Sequence, residues 1–298
     1  MRTSSGFTLA LCGFALLTCG DAVIKSMAGL WPAPAIAALR FSIAVPLLAI
    51  FVMATQGKQA LRVSRPWVQL GRGISIAASS SLFFISLFLL PLAEATAIVF
   101  VSPVITALLS ALFLREHMQR AAWFATFVAL AGVAMVLRPN LVELGWVALL
   151  PLIAAIFFST MMIFNRLAGG TGSPMALQCI LAAVAAPLLL LVALTGHLSG
   201  IDQFHVVWPH WSVVLRCTIV ALTASTAHWL IYLGTTRGTA ADAAQAVYIQ
   251  LPVALLIDAL LFRNFPDWMA LGGSLLIVGA GLIMWQNQRR ILRSATRS

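Results

Sequence analysis

Five charged residues interrupt apolar stretches in their expected outer halves: Asp21, Lys25, Arg40, Arg216 and Asp258. A charge at the centre of a membrane helix costs about 2.5–3.5 kcal/mol on insertion scales, so such residues mark ion pairs, cavities or solute pathways. Asp21 and Lys25 are four residues apart and share one helix face. That spacing fits a local ion pair near the interface, with the long basic chain snorkelling outwards. The sharper alternative is an extracellular gate of breakable ion pairs between two halves of the molecule. His228 alone among five histidines lies inside an apolar stretch, where it serves as a hydrogen-bonded structural residue or as a proton carrier.

Neutral polar and aromatic groups accompany these charges. Ser79, Phe83, Phe100, Phe157, Asn165, His228, Trp229, Gln245 and Tyr248 are the candidate lining of a binding site. Rings with amide and hydroxyl groups, and little charge, suit a small, partly apolar solute. A zwitterionic aromatic amino acid fits: rings stack on its ring, while amides and hydroxyls hold its amine and carboxylate. A nucleotide sugar would need more basic groups at that depth. Pro103 and Pro252 lie near the middle of apolar stretches, where a proline kinks a helix or serves as a hinge.

Enzyme chemistry has no foothold. The chain lacks H-E-x-x-H, G-x-S-x-G, P-loop and G-x-G-x-x-G patterns and has no paired carboxylates in one segment. Cys12, Cys19, Cys179 and Cys217 all fall in apolar stretches without metal-ligand spacing, so neither a metal nor a cofactor is expected. His197, His205 and His210 belong to connections and read as solvated.

The elements that must position these groups follow from composition. Of 298 residues, 61% are hydrophobic and only 9% charged, and mean hydropathy is +1.01. A soluble domain carries about 25% charged residues, so this balance excludes a soluble surface. In lipid, only helices or closed barrels satisfy the backbone, and the long unbroken apolar runs exclude alternating barrel strands. The expected class is an all-α polytopic membrane protein with the lipid bilayer as its solvent. Runs of about 20 apolar residues give ten spans, near 7–29, 35–56, 68–90, 95–114, 121–138, 145–167, 174–196, 212–235, 241–262 and 268–287. The first could be taken for a signal peptide, but Thr18 before Cys19 suits a lipoprotein cleavage site poorly, and removal would break the repeat described next.

Residues 93–116 (AEATAIVFVSPVITALLSALFLRE) and 241–264 (ADAAQAVYIQLPVALLIDALLFRN) align at a fixed offset, which matches Glu94 with Asp242, Phe100 with Tyr248 and Arg115 with Arg263. The prolines are out of register by one. These segments are the fourth span of each set of five. An odd number of spans per unit turns the second copy upside down, so the expectation is an inverted repeat of residues 1–140 and 141–298, an architecture of secondary transporters. With the N-terminus inside, inner segments carry twelve basic residues (Arg2, Lys58, Arg62, Arg65, Arg115, Arg120, Arg166, Arg237, Arg289, Arg290, Arg293, Arg297). Outer connections carry two, Arg138 and Arg263. That bias places both termini in the cytoplasm. The net charge of +10 is thus a topology signal and implies no nucleic-acid partner.

Three strings carry a family resemblance: Pro34-Ala35-Ile36-Ala37-Ala38-Leu39-Arg40-Phe41, Glu94-Ala95-Thr96-Ala97, and Ser102-Pro103-Val104-Ile105-Thr106-Ala107 closed by Arg115-Glu116. With ten spans in about 300 residues, the chain resembles the EamA-type branch of the drug/metabolite transporter superfamily. Within it, the chain looks most similar to bacterial aromatic amino-acid exporters. Asn264 departs from the pattern where a counterpart of Glu116 would stand. The resemblance implies a secondary active or facilitative exporter of aromatic and other neutral amino acids or related small metabolites. It would work as a monomer in the bacterial inner membrane, around a cavity among spans 1, 3, 4, 6, 8 and 9. Export of drugs or other metabolites, or lipid scrambling, are the alternatives.

Overall fold

The computed structural model describes residues 2–115, 120–137, 145–237 and 246–261, with scattered residues between 243 and 283. Every described element is helical, as lipid demands of a backbone with no water to bond. The main helices are α1 (Arg2–Lys25), α2 (Ala33–Gln56), α3 (Pro66–Leu89), α4 (Leu92–Val99), α5 (Ser102–Leu109), α6 (Arg120–Leu137), α7 (Leu149–Leu167), α8 (Pro174–Leu198), α9 (Trp211–Arg237) and α10 (Gln250–Leu261). Seven helical stretches among the described residues are long and apolar enough to cross a membrane. Two shorter apolar helices, Trp123–Gly132 and Ala246–Leu261, fall within the fifth and ninth expected spans. The expected tenth span, 268–287, lies mostly outside the described residues.

Local sequence explains the boundaries. Prolines open α2, α3 and α8 in their first turns, where the missing N–H has no partner to lose. Ser173 caps α8 by accepting a hydrogen bond from the Ala176 N–H at 3.2 Å. Gly57 ends α2 at φ +81°, a conformation that a side chain would strain.

The fourth expected span is not one helix. α4 ends at Val99, Phe100 and Val101 form a turn, and α5 restarts with Pro103 in its first turn before a π-helical stretch, Ser110–Leu114. The ninth behaves alike: a 3-10 turn, Ala246–Ile249, precedes α10, which has Pro252 near its start. The expectation of prolines kinking the middle of continuous helices is corrected here. Both stand where a new helix begins, because proline lacks a donor and crowds the preceding residue, and a first turn tolerates both.

Packing pairs α1 with α9, α3 with α7, α2 with α8, and α4 with α10. Further contacts join α3 to α8, α2 to α9, α1 to α10, and α4 and α5 to α7. This set maps onto itself when α1, α2, α3 and α4–α5 are exchanged with α7, α8, α9 and α10. The tightest approaches lie at glycines. A Cβ on Gly13 would meet the Ala227 carbonyl at 2.8 Å, and one on Gly73 would meet Val184 at 2.3 Å. Without a hydrophobic drive in lipid, close backbone approach of this kind supplies the packing energy.

Candidate functional site

α1, α2, α3, α4, α7, α9 and the start of α10 line a cavity of about 60 Å³. Its polar groups are Asp21, Arg40, Ser79, Ser80, Thr96, His228 and Gln250, all buried inside the helix ring. Leu17, Ile76, Phe83, Phe84, Val99, Phe158 and Val247 complete the wall.

Of the residues expected to bind substrate, Ser79, Phe83 and His228 line this space. The Ser79 hydroxyl also donates to the Ala154 carbonyl at 3.0 Å, tying α3 to α7. Phe157 and Trp229 are half-buried and lie outside the lining, whereas Phe158, one step round the helix from Phe157, lies in it. Phe100 and Tyr248, matched across the repeat by sequence, touch edge-to-face with centroids 5.4 Å apart, behind the cavity wall. Gln245 lies outside the described residues.

Asn165 has a different post. It accepts from Arg72 Nε at 2.8 Å in a cluster near the inner end of the helices. Arg72 is 1% exposed, and its Nη1 donates to Gln69 Oε1 at 2.7 Å and to the Leu177 carbonyl at 3.0 Å. The Tyr232 ring lies 5.4 Å from its guanidinium carbon, a cation–π distance. This knot joins α3 to α7, α8 and α9 below the cavity. Two neighbours brace it: Arg65 donates to the Leu167 carbonyl at 3.0 Å, and Tyr232 to the Ala168 carbonyl at 3.3 Å. Both bonds fall on the C-terminal end of α7, where carbonyls lack helical partners. Arg72 is not among the outer-half charges, and its sequence signal is a spacing of three residues from Gln69 in an otherwise apolar span.

The charges expected to form a gate divide into three places. Lys25 donates to the Leu90 carbonyl at 2.9 Å and lies in the field of Asp258 and Glu94. Asp258 Oδ2 accepts the Ala93 N–H at 3.2 Å, which caps the N-terminus of α4. This outer cluster joins α1 and the α3–α4 corner to α10. Asp21 instead turns into the cavity, and its electrostatic neighbour is Arg40. Asp21 and Lys25 share a helix face, but Lys25 also reaches the α3–α4 corner and the field of Asp258 on α10. Arg216 donates to the Ser26 carbonyl at 2.9 Å at an exposed site, one residue beyond Lys25.

Residues 4–138 match the EamA-like transporter family. The chain is 28% identical to a riboflavin transporter of Rhizobium johnstonii over 240 residues, 78% of this chain and 75% of that protein. It is 24% identical to an S-adenosylmethionine uptake transporter of Rickettsia prowazekii, over 87% of this chain and 85% of the relative. It is also 24% identical to a pseudopaline exporter of Pseudomonas aeruginosa, over 96% and 97%. A solved crystal structure, 22% identical, superposes with a TM-score of 0.73 over 97% of this chain and 98% of the other. That likeness establishes the fold alone. The chain is thus similar, over its first 138 residues, to the EamA-like transporter family, and over most of its length to bacterial membrane transporters.

Proposed function

We propose that this protein is a carrier of small, partly apolar metabolites, neutral amino acids among them, working by alternating access around the mid-depth cavity. One observation carries the reading: a buried polar cavity lies between two separate side-chain clusters, each joining the first five-span set to the second. The Arg72 knot joins α3 to α7, α8 and α9 on the inner side. The Lys25–Asp258 cluster joins α1 and α4 to α10 on the outer side. Opening one while the other holds exposes the cavity to one side at a time.

The self-mapping helix pairs and the Phe100–Tyr248 contact support an inverted repeat of residues 1–140 and 141–298, ten spans in all, with the repeat axis beside that contact. A cavity of about 60 Å³ is well below the ~300–1,000 Å³ of a typical ligand site. The enclosed form must therefore widen to admit solute. The named relatives include uptake carriers and an exporter, so the gradient sets the direction, with export of amino acids as the expected physiological use at the bacterial inner membrane. The polar lining is buried within the helix ring rather than facing lipid, which favours a solute carrier over a lipid scramblase.

Counterflow in liposomes holding the purified protein tests this. Vesicles preloaded with phenylalanine, methionine or riboflavin should accumulate the same labelled solute in a protein-dependent way. A folded protein that exchanges none of them, yet scrambles labelled lipid, would overturn the carrier reading.

A further inference from the structure

We propose that Asp21 and Arg40 form a charge-reading subsite of the cavity. Arg40 receives a carboxylate and Asp21 a protonated amine of one zwitterionic solute. The proposal rests on the carrier reading above and removes this pair from the gate.

The placement of the two residues excludes a latch between halves. Asp21 is on α1 and Arg40 on α2, so both belong to the first five-span set and cannot hold it to the second. Both are buried, 8% and 4% exposed, and both line the same cavity.

Their bonding is incomplete in a way that points to a ligand. Among the described residues, Asp21 accepts no hydrogen bond. Arg40 donates one, from Nη2 to Ser80 Oγ at 3.2 Å, and its buried Nε–H has no protein partner. A guanidinium has five N–H donors in a fixed fork that matches a carboxylate. Here its faces, not its edges, are held by the protein. The Phe41 and Phe84 rings lie 4.4 and 4.9 Å from the guanidinium carbon. Aromatic faces stabilise the cation and fix its plane without consuming donors. The result is an oriented fork with spare N–H groups at a polar cavity.

Charge arithmetic selects the solute. The pair sums to zero, and buried charges are tolerable only when compensated. A zwitterion offers each group its complement and keeps the sum at zero. A net cation or anion satisfies one group and leaves the other against a like charge. Phe83, Phe158 and Val247 then face the solute's apolar part. An α-amino acid has this build, its two charged groups and its side chain all attached to one carbon.

The test is competition against solute exchange in proteoliposomes. The panel is phenylalanine, alanine and methionine as zwitterions, phenylalaninamide as the cation, 3-phenylpropionate as the anion, and riboflavin as an uncharged reporter. In the wild-type protein, phenylalanine should compete at least about tenfold better than its amide or its deaminated acid, a preference near 1.4 kcal/mol. Arg40→Gln should lose zwitterion exchange and move the preference towards the amide. Asp21→Asn should move it towards the acid. These opposite shifts are not what a merely structural role produces, and the wild-type series needs no variant to fold.

Two results would overturn the proposal while sparing the carrier. One is riboflavin exchange that no zwitterion inhibits. The other is equal competition by zwitterion, amide and acid. Absence of all exchange by a folded protein counts against both readings.

Discussion

In the proposed carrier the two ends of the cavity are closed by different chemistry. On the inner side a fully buried cation is held by neutral acceptors: Arg72 donates to two side-chain amides and one backbone carbonyl, with an aromatic ring beside it. On the outer side, Lys25, Glu94 and Asp258 meet around the start of α4, and the backbone of Leu90 and Ala93 completes the cluster. Amide-held contacts do not depend on the protonation or screening of a partner. A cluster of opposite charges does. The lesson is that the inner closure should be the stiffer and the outer one the more responsive to solution conditions.

The largest effect should come from Arg72→Leu. It strips the partner from the side-chain oxygens of Asn165 and Gln69, and each buried acceptor left bare costs about 1–3 kcal/mol. Thermal unfolding in detergent should shift down by several degrees. In a variant free of native cysteines, a cysteine at position 228 should become more reactive to an impermeant thiol reagent from the inner side alone. Labelling that rises equally from both sides would erase the distinction between the closures.

Next in size is Asp258→Ala. It removes the acceptor that caps α4, worth about 1 kcal/mol. Here the cysteine label should become more reactive from the outer side. Combined with Lys25→Met in a double-mutant cycle, the two changes should cost less than their sum, since both act on one cluster. Ser159→Ala should be milder. Its hydroxyl is shared between the Ser102 carbonyl at 2.9 Å and its own helix at 2.8 Å, and polar contacts between membrane helices average about 0.6 kcal/mol. A small fall in unfolding temperature with unchanged sidedness of labelling is expected, because this bond lies at neither closure.

The smallest effect is that of salt. Raising ionic strength from 0.01 to 1 M shortens the screening length from about 30 to about 3 Å. Labelling from the outer side should rise modestly and labelling from the inner side should stay flat. A salt response at the inner side would show that the Arg72 knot is not the closure described.

Much of this architecture was legible in the residues themselves. The apolar runs gave nine of the ten expected spans as described helical stretches, because each span satisfies its own backbone and needs no partner to declare itself. The matching of Phe100 with Tyr248 came from alignment alone, and the structure puts the two rings in contact. The site was less legible. Phe157 and Phe158 are equally aromatic in the string, and only the rotation of α7 against α3 decides which faces the cavity. Asn165 carries the amide a binding site would want, yet Arg72, 93 residues away, holds it.

Sequence by itself determined the membrane class and most of the apolar runs, marked Pro103 and Pro252 as points where a helix is disturbed, and supports an orientation through its basic residues. These are properties of single segments: hydropathy over about 20 residues, a missing N–H, a count of charges per connection. Tertiary structure alone decided which carboxylate meets which cation. Asp21 and Lys25 share a helix face, but the choice between them was made by helices far along the chain, α2 bringing Arg40 to one and α10 bringing Asp258 to the other. Helix periodicity fixes where a side chain points along its own axis. It cannot fix what stands opposite, and in a low-dielectric interior the opposite group determines whether a charge latches, binds or merely packs.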